Sequence, residues 1–434
     1  VDDQITGSTA AEIADSVRGL RERGTLRPGD ALPPVRELAV RLGINRNTAV
    51  AAYRQLAGAG LVISRGRAGT LIAGAESVAQ EGLADTVLHD IASGNPDPAL
   101  IPDPTPALSR IVGRPVLYGE PVIDAALEAW TREWMHADLH RDDLTICVTS
   151  GAVDAVERLL TQALMRDDAV ALEDPCFLAS IHTVRLGGYR AVPVPVDDEG
   201  MTVEGLRAAL DAGVRAIIST PRAQNPTGVT LTPERAAALR EVLADHPYVL
   251  IIEDDHFSLL SPHAYATLIG PQHRRYALVR SVSKFLGPDM CLALAATDPT
   301  TAERLSLRLS PGTTWVSHLL QRLAHAQLTD ASARTQISTA SAHYAERNAA
   351  FAAALETHGI STSSVDGLSL WVRLTAPART TAERLMRRGW LARTGDEFCI
   401  DESSPASHHL RLTVHDLSDA DAARLIDDLV AAQR

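Results

Sequence analysis

Ala277-Leu-Val-Arg-Ser-Val-Ser-Lys284 runs from a short β-rich stretch into a serine-rich turn, and the lysine at its end is the chain's only one. The other 40 basic residues are arginine. Arginine stays protonated in proteins, whereas a lysine amine can attack a carbonyl and form a Schiff base. A surface lysine kept by chance is the plain alternative. The apolar run before it and the two serines beside it weigh against that reading.

Working outward from Lys284, short β-rich runs alternate with helical segments. Thr145–Val148 precedes a helix Ala152–Leu164, and Ala169–Leu172 precedes Asp174-Pro175. Ala216–Ser219, Val249–Ile252 and Ala277–Val279 follow, spaced by segments such as Pro233–Ala244. Such βαβ alternation predicts a mostly parallel α/β sheet. Around residue 337 a smaller C-terminal α/β unit is expected to begin, with strands near Ser369–Leu374 and His409–Val414. The predicted division is a head over 10–73, a linker over 74–89, a large domain over 90–336 and a small subdomain over 337–434.

Several motifs of the large domain suit one cofactor, pyridoxal 5′-phosphate (PLP), which a lysine holds as a Schiff base and an acidic residue supports at the ring nitrogen. Asp254, in Ile251-Ile-Glu-Asp-Asp-His256, stands at the carboxyl end of a predicted strand, where open α/β sheets bind ligands. Thr149-Ser-Gly-Ala152 joins a strand to a helix, so Gly151 and Ala152 can offer amides to a phosphate. Ser281 and Ser283 can add hydroxyls. Asn225, in Gln224-Asn-Pro-Thr-Gly228, can donate to the ring oxygen, and Phe177 can stack on the ring. Singly these are weak signals: Asp254 with Asp255 could be a surface pair or a metal site, Asn-Pro-Thr-Gly a plain turn, and Gly151 a tight connection. Together and in this order they are strong.

The head reads differently. Helical periodicity from Ala11 to Arg23 puts Ile13, Val17 and Leu20 on one face. Pro34–Leu42 is a short helix with Val35, Leu38, Ala39 and Leu42 apolar, Pro34 at its start and Gly43 at its end. Asn45 can cap a third helix, Arg46–Ala59, with Ala49, Val50, Tyr53 and Leu56 inward. Leu61–Ser64 and Thr70–Ile72 read as a hairpin. The whole is a winged helix-turn-helix. Its recognition helix would present Asn45, Arg46, Asn47 and Thr48 to base edges, with Arg36 reaching a phosphate and Arg65 and Arg67 in the wing. Residues 1–72 carry a net +3 and the remainder −16, a modestly basic head on an acidic body.

The segment Leu32-Pro-Pro-Val-Arg-Glu-Leu-Ala39, Leu42-Gly-Ile-Asn-Arg-Asn-Thr-Ala-Val50 and Tyr53-Arg-Gln-Leu56 resembles the GntR family of bacterial repressors, with Pro34 in place of a common Ser and Ala49 in place of a common Val. The body motifs resemble fold-type I PLP proteins of the class I/II aminotransferase group. That resemblance implies that Arg411, in His409-Leu-Arg-Leu-Thr-Val414, grips an α-carboxylate. It also implies that Tyr118, in Tyr118-Gly-Glu-Pro121, reaches the phosphate of a partner subunit, making a homodimer with shared sites. Two positions depart from the pattern. Cys291 stands seven residues after the lysine, where an arginine pairs with the phosphate, and His256 stands where a ring-oxygen partner is often Tyr. A GntR-type head on such a body is similar to the MocR subfamily of transcription regulators. The resemblance implies operator DNA as partner and PLP, or an amine or amino acid reacting with it, as effector. The rival reading is a working PLP enzyme, an aminotransferase or another amino-acid α-carbon chemistry, with Lys284 and Asp254 catalytic and Arg411 binding substrate.

Composition narrows the rest. With 45% hydrophobic and 22% charged residues, the chain reads as globular rather than low-complexity. No apolar run approaches the ~18 residues that span a bilayer, and no signal peptide is visible, so a cytoplasmic location is expected. The four cysteines are scattered and make no disulfide framework or zinc site. His136 and His140 have metal-ligand spacing, but a solvated helix face is the better reading, and no metal is expected.

Overall fold

The structure is a computed structural model that describes residues 4–59, 61–64, 69–72, 87–111, 114–309, 315–400 and 405–434. It divides into two compact units, Val1–Gln80 and Glu81–Arg434.

In the first unit, α1 (Ala10–Glu22) begins at a reciprocal capping box between Thr9 and Glu12, which satisfies two N–H groups that the helix itself cannot. Next, α2 (Val35–Leu42) ends at Gly43, whose φ of 63° is the left-handed conformation glycine adopts without strain. Asn45 caps α3 (Arg46–Gly58) by accepting from the Asn47 amide at 2.8 Å. Strands β1 (Val62–Ser64) and β2 (Thr70–Ile72) pair antiparallel. Ile13, Val17, Leu20, Leu38, Ala49, Tyr53 and Leu56 are buried together. Val50, expected inward, is only half-buried; Ala52 is buried instead, because the 3.6-residue period carries the face through 49, 52, 53 and 56. The Tyr53 hydroxyl donates to the Pro33 carbonyl at 2.6 Å, fastening α3 to the turn before α2. Arg65, Arg67 and linker residues 74–86 lie outside the described residues.

The second unit opens with β3 (His89–Asp90). Its main sheet is built from β4 (Thr145–Thr149), β5 (Ala169–Asp174), β6 (Arg190–Asp197), β7 (Gly200–Met201), β8 (Val214–Ser219), β9 (Leu250–Asp254), β10 (Tyr276–Ser281) and β11 (Ala293–Thr297). The spatial order is β4-β11-β10-β9-β8-β5-β6-β7. All pairings from β10 through β6 are parallel, while β11 runs antiparallel between β10 and β4, and β7 is antiparallel to β6. Sequence reading missed β6 and β11. In β6 prolines occupy Pro193 and Pro195 of a half-exposed strand near the sheet edge, and β11 is an alanine-rich run with weak strand propensity that its central position overrides. Helices cover both faces, giving two large apolar clusters, as parallel sheets require.

A smaller sheet, β12 (Leu370–Arg373), β15 (His409–Leu412) and β14 (Arg393–Thr394), is antiparallel, and β13 (Trp390–Leu391) pairs with β3. The expected junction near Ile337 falls inside one continuous helix, Ala331–Glu356. Ile337, Ala340 and Tyr344 pack into the large core, whereas Phe351 and Leu355 pack into the small one. The helix is shared because its apolar stripe is long enough to serve both. Among the described residues no helix is long and apolar enough to cross a membrane.

Charges are buried at the carboxyl edge of the main sheet. Asp255 is fully buried and accepts from Arg222 (2.5 and 3.0 Å) and from Arg280 Nε (2.8 Å). Arg280, itself 0% exposed, also donates to Asp138 at 2.5 Å and lies 4.5 Å over the Trp134 ring. Removing one partner of such a cluster leaves an uncompensated buried charge, which costs about 3–5 kcal/mol. Arg280→Met is therefore expected to lower the unfolding free energy of the full chain by about 3–5 kcal/mol in urea at neutral pH; a loss under about 1 kcal/mol would show that Arg222 alone neutralises Asp255.

Candidate ligand site and DNA-facing helix

The carboxyl ends of β4, β5, β8, β9 and β10 converge on a hollow of about 250 Å³. Each strand delivers its residue at the point where the backbone leaves the sheet. Gly151 follows β4, Phe177 follows β5, Asp254 ends β9, Ser281 ends β10, and Lys284 follows in the next turn. Asn225, His256, Ser283, Ala152 and Cys291 complete the wall. Thus nine of the body residues singled out from sequence, with Cys291 beside them, line one hollow.

Lys284 sits in a short helix after β10, and its Nζ donates to the Gly94 carbonyl at 2.8 Å. Asp254 is buried, and its Oδ1 has no hydrogen-bond partner. Burial, then the neighbouring carboxylates of Asp255 and Glu173, push its carboxyl up to about 7, against the pull of Lys284. The three acids in a row have three different surroundings. Glu253 points to the Tyr265 hydroxyl, to Thr267 Oγ1 at 2.8 Å and to the Leu268 amide, and burial lifts it to about 7. Burial opposes the charge on Asp255 as well, but Arg280 and Arg222 outweigh it and hold the carboxyl below its ordinary range. Asp254 and Asp255 are therefore neither a surface pair nor, with other described residues, a metal cluster.

At the other end of the hollow, Gly151 (φ 108°) precedes the helix Ala152–Ala163, whose N-terminus has no side-chain cap. Its amides are in the position where helices receive anions. Ser281 and Ser283 share a hydrogen bond, Oγ to Oγ, at 2.9 Å. Phe177 is half-buried at the start of the helix Leu178–Leu186.

A second, adjoining hollow shares Lys284, Asn225 and His256 and adds Gly94 and Arg411. Arg411 comes from β15 and is 1% exposed. It donates to Asn225 Oδ1 at 3.1 Å and to the Ala92 carbonyl at 2.7 Å, and its guanidinium lies 5.0 Å over the Phe398 ring. Tyr118 lines neither hollow; it is 89% exposed, with its ring 5.4 Å from Trp315. His140 is the left-handed residue closing the helix Ala125–Leu139, and His136 faces Asp142 at 3.3 Å.

Sequence reading missed the carbonyls of Ala92 and Gly94, which carry no side-chain signal. It also missed Glu173, buried and lifted to about 7 by burial against hydrogen bonds from Ser219, Thr220 and Gln224. A charged residue ending the apolar run Ala169–Leu172 was the available cue.

In the head, Asn45, Arg46 and Asn47 are exposed at the start of α3, Thr48 is half-buried, and Arg36 is exposed on α2. The Asn45 side-chain oxygen is engaged in capping.

Comparison with known proteins agrees with both halves. The profile described as aminotransferase class I and II matches residues 92–429, and that of bacterial regulatory proteins, gntR family, matches residues 9–72. The chain is 47% identical, over 98% of both sequences, to the vitamin B6 salvage pathway transcriptional repressor PtsJ of Salmonella typhimurium. It is 27% identical to the pyridoxine biosynthesis transcriptional regulator PdxR of Corynebacterium glutamicum over 58% of this chain and 57% of that one. Kynurenine aminotransferase of Pyrococcus horikoshii superposes with a TM-score of 0.72 at 22% identity, over 80% of this chain and 91% of that one, a likeness of fold. The chain belongs to the GntR-type bacterial regulators of the MocR kind, in which a gntR helix-turn-helix head is fused to a class I and II aminotransferase domain of fold type I.

Proposed function

We propose that this chain is a DNA-binding transcription regulator that holds PLP through Lys284 and responds to the cofactor, or to an amine or amino acid reacting with it. One observation carries the ligand half of this reading: the chain's only side-chain amine shares a hollow with a buried carboxylate oxygen that has no hydrogen-bond partner. The family membership of the head and the name of the 47% identical repressor support the DNA half.

The residues fit PLP. The cofactor supplies an aldehyde that takes up a primary amine and a ring that withdraws electrons when its nitrogen is protonated. Asp254 Oδ1 is the acceptor such a nitrogen requires, and a cation beside this carboxyl would favour its ionised form. Arg411 donates to Asn225 Oδ1, which supports a donor role for the Asn225 NH2 toward a ring oxygen. His256 lies beside it as a second partner, and Phe177 supports the ring. Gly151, Ala152, Ser281 and Ser283 face the anionic end. Arg411 lines the hollow that adjoins Lys284, and a guanidinium there would suit a carboxylate.

The proposed coupling to the head uses the first described stretch of the second unit. Ala92 and Gly94 follow the linker in sequence, and their carbonyls accept from Arg411 and Lys284. A ligand that engages either cation changes the hold on that stretch. Acting as a homodimer, with Tyr118 reaching the partner's site, the protein would set two heads on paired operator half-sites. DNA must then alter effector affinity by the same factor as effector alters DNA affinity. The enzyme reading keeps one observation in its favour: Lys284, Asp254, Asn225 and Arg411 all face the adjoining hollows. Sustained conversion of an amino acid with a keto acid would select it; salt-sensitive binding to operator DNA without turnover selects the regulator.

Three outcomes test this reading. Lys284→Ala is expected to abolish borohydride-fixable PLP attachment, read by absorbance and peptide mass; a fixed label elsewhere removes the assignment. Arg46→Ala is expected to weaken specific DNA binding by about 1–3 kcal/mol while leaving non-specific binding nearly unchanged, and equal losses on both would demote Arg46 to a phosphate contact. The third concerns Asp254. Its carboxyl titrates at about 7, above the ordinary aspartate range, so without cofactor the folded chain binds the extra proton and loses stability as pH rises through that interval. Asp254→Asn is therefore expected to raise the stability of the cofactor-free protein at pH 8 by about 1–3 kcal/mol and to weaken PLP uptake at least tenfold. A variant that loses stability at pH 8 contradicts the assignment.

A further inference from the structure

The anionic end of the Lys284 hollow is built almost without positive charge. Gly151, Ala152, Ser281, Ser283 and Cys291 line it, and Lys284 is the only lysine or arginine among the described lining residues. The chain has 40 arginines, so this is not for want of them. The undescribed stretches of the second unit, 81–86, 112–113, 310–314 and 401–404, contain neither lysine nor arginine, and Arg308 is the one cation of that unit whose side chain is not described. Arg158, on the helix that Gly151 caps, is paired with Asp154 at 2.6 Å, and Asp154 also accepts from the Ser150 amide at 3.0 Å. That pair brings no net charge to the anion end.

Cys291 closes this end from the turn after Lys284, exposed and in the left-handed region (φ 41°). Its thiol, a weak donor, leans on the Pro288 carbonyl at 3.6 Å. A phosphate dianion seated here would rest on neutral donors: backbone amides, two hydroxyls already bonded to each other and, in the proposed homodimer, Tyr118 of the partner subunit. Hydrogen bonds to neutral partners contribute about half of what charge-assisted ones do. The opposite end is different. There the covalent partner Lys284 and the ring-nitrogen partner Asp254 act on the aldehyde and the ring, and neither depends on the phosphate.

We infer that this site recognises the pyridine ring and aldehyde of a B6 vitamer more than its 5′-phosphate, so that non-phosphorylated pyridoxal-type aldehydes are also its ligands. The inference rests on the PLP reading above and refines its ligand class. The chemistry is the same for both aldehydes. The Lys284 amine adds to the aldehyde carbon, the carbonyl oxygen leaves as water, and a C=N bond remains; no oxidant or reductant takes part.

The probe is 5-deoxypyridoxal, which carries a methyl group in place of the phosphate ester and cannot close on its own aldehyde. The full-length protein is titrated with it and with PLP, following absorbance and confirming attachment at Lys284 by borohydride trapping and peptide mass. Wild type is expected to take both, with PLP favoured by less than about a hundredfold. Cys291→Arg is expected to tighten PLP by about tenfold to a hundredfold, the worth of one charge-assisted contact, and to leave 5-deoxypyridoxal within twofold. Attachment of PLP but not of 5-deoxypyridoxal at millimolar concentration overturns the inference while leaving the PLP reading intact. So does a folded Cys291→Arg protein whose ratio of affinities is unchanged. The wild-type comparison decides alone if that variant does not fold. Failure of both aldehydes to attach at Lys284 overturns the PLP reading and this inference with it.

Discussion

Three consecutive carboxyl groups are buried at the end of β9, and the body is organised around making that tolerable. A buried charge without a partner is expensive, and adjacent acids raise one another. Successive side chains on a strand face opposite ways, so the three acids are distributed among separate environments. Glu253 receives two hydroxyls and an amide. Asp255 receives two guanidiniums. Asp254 alone keeps a buried oxygen with no hydrogen bond. The neutralisation of Asp255 is what permits an acid beside it to remain unsatisfied, and an unsatisfied acid is what the ligand hollow requires.

The hollow follows from sheet order. Lys284, Asp254 and Gly151 belong to strands separated by up to 130 residues in sequence, yet β4, β10 and β9 lie within four positions of one another in the sheet. The antiparallel β11 is the insertion that keeps β4 parallel to β10, so the amide end of the helix Ala152–Ala163 opens beside the lysine. The small sheet contributes Arg411, held from three sides by a carbonyl, an amide oxygen and a ring. In the reading proposed above, the hollow would have a covalent end at Lys284, a carboxylate-binding side at Arg411 and an anionic end where Cys291 stands.

Legibility in the sequence differed between the two units. The head was readable almost to the residue, because caps and the helical period are local. Asn45 and Gly43 terminate helices by contacts within three or four residues; the Thr9 cap, equally local, was not read. Even there the period misassigned Val50 and overlooked Ala52, since a small residue carries little hydrophobic signal. In the body, strands of alternating or continuous β-branched residues were found. The alanine-rich β11 and the proline-containing β6 were not, because their pairing comes from neighbours rather than from propensity. The body's candidate site residues were found by motif; nine of them line one hollow, Arg411 lines the adjoining one and Tyr118 neither, while the charge network behind them stayed invisible.

By itself the sequence determined that a single side-chain amine exists, that it follows a strand, and that a capped three-helix head precedes an alternating α/β body. Those are properties of residue identity and of spacings shorter than a helix. Only the tertiary structure decided which acid beside that amine would stay unsatisfied. Arg222 reaches Asp255 across 33 residues and Arg280 reaches Asp138 across 142, and pairings over such distances are set by strand order and burial, which no local pattern encodes.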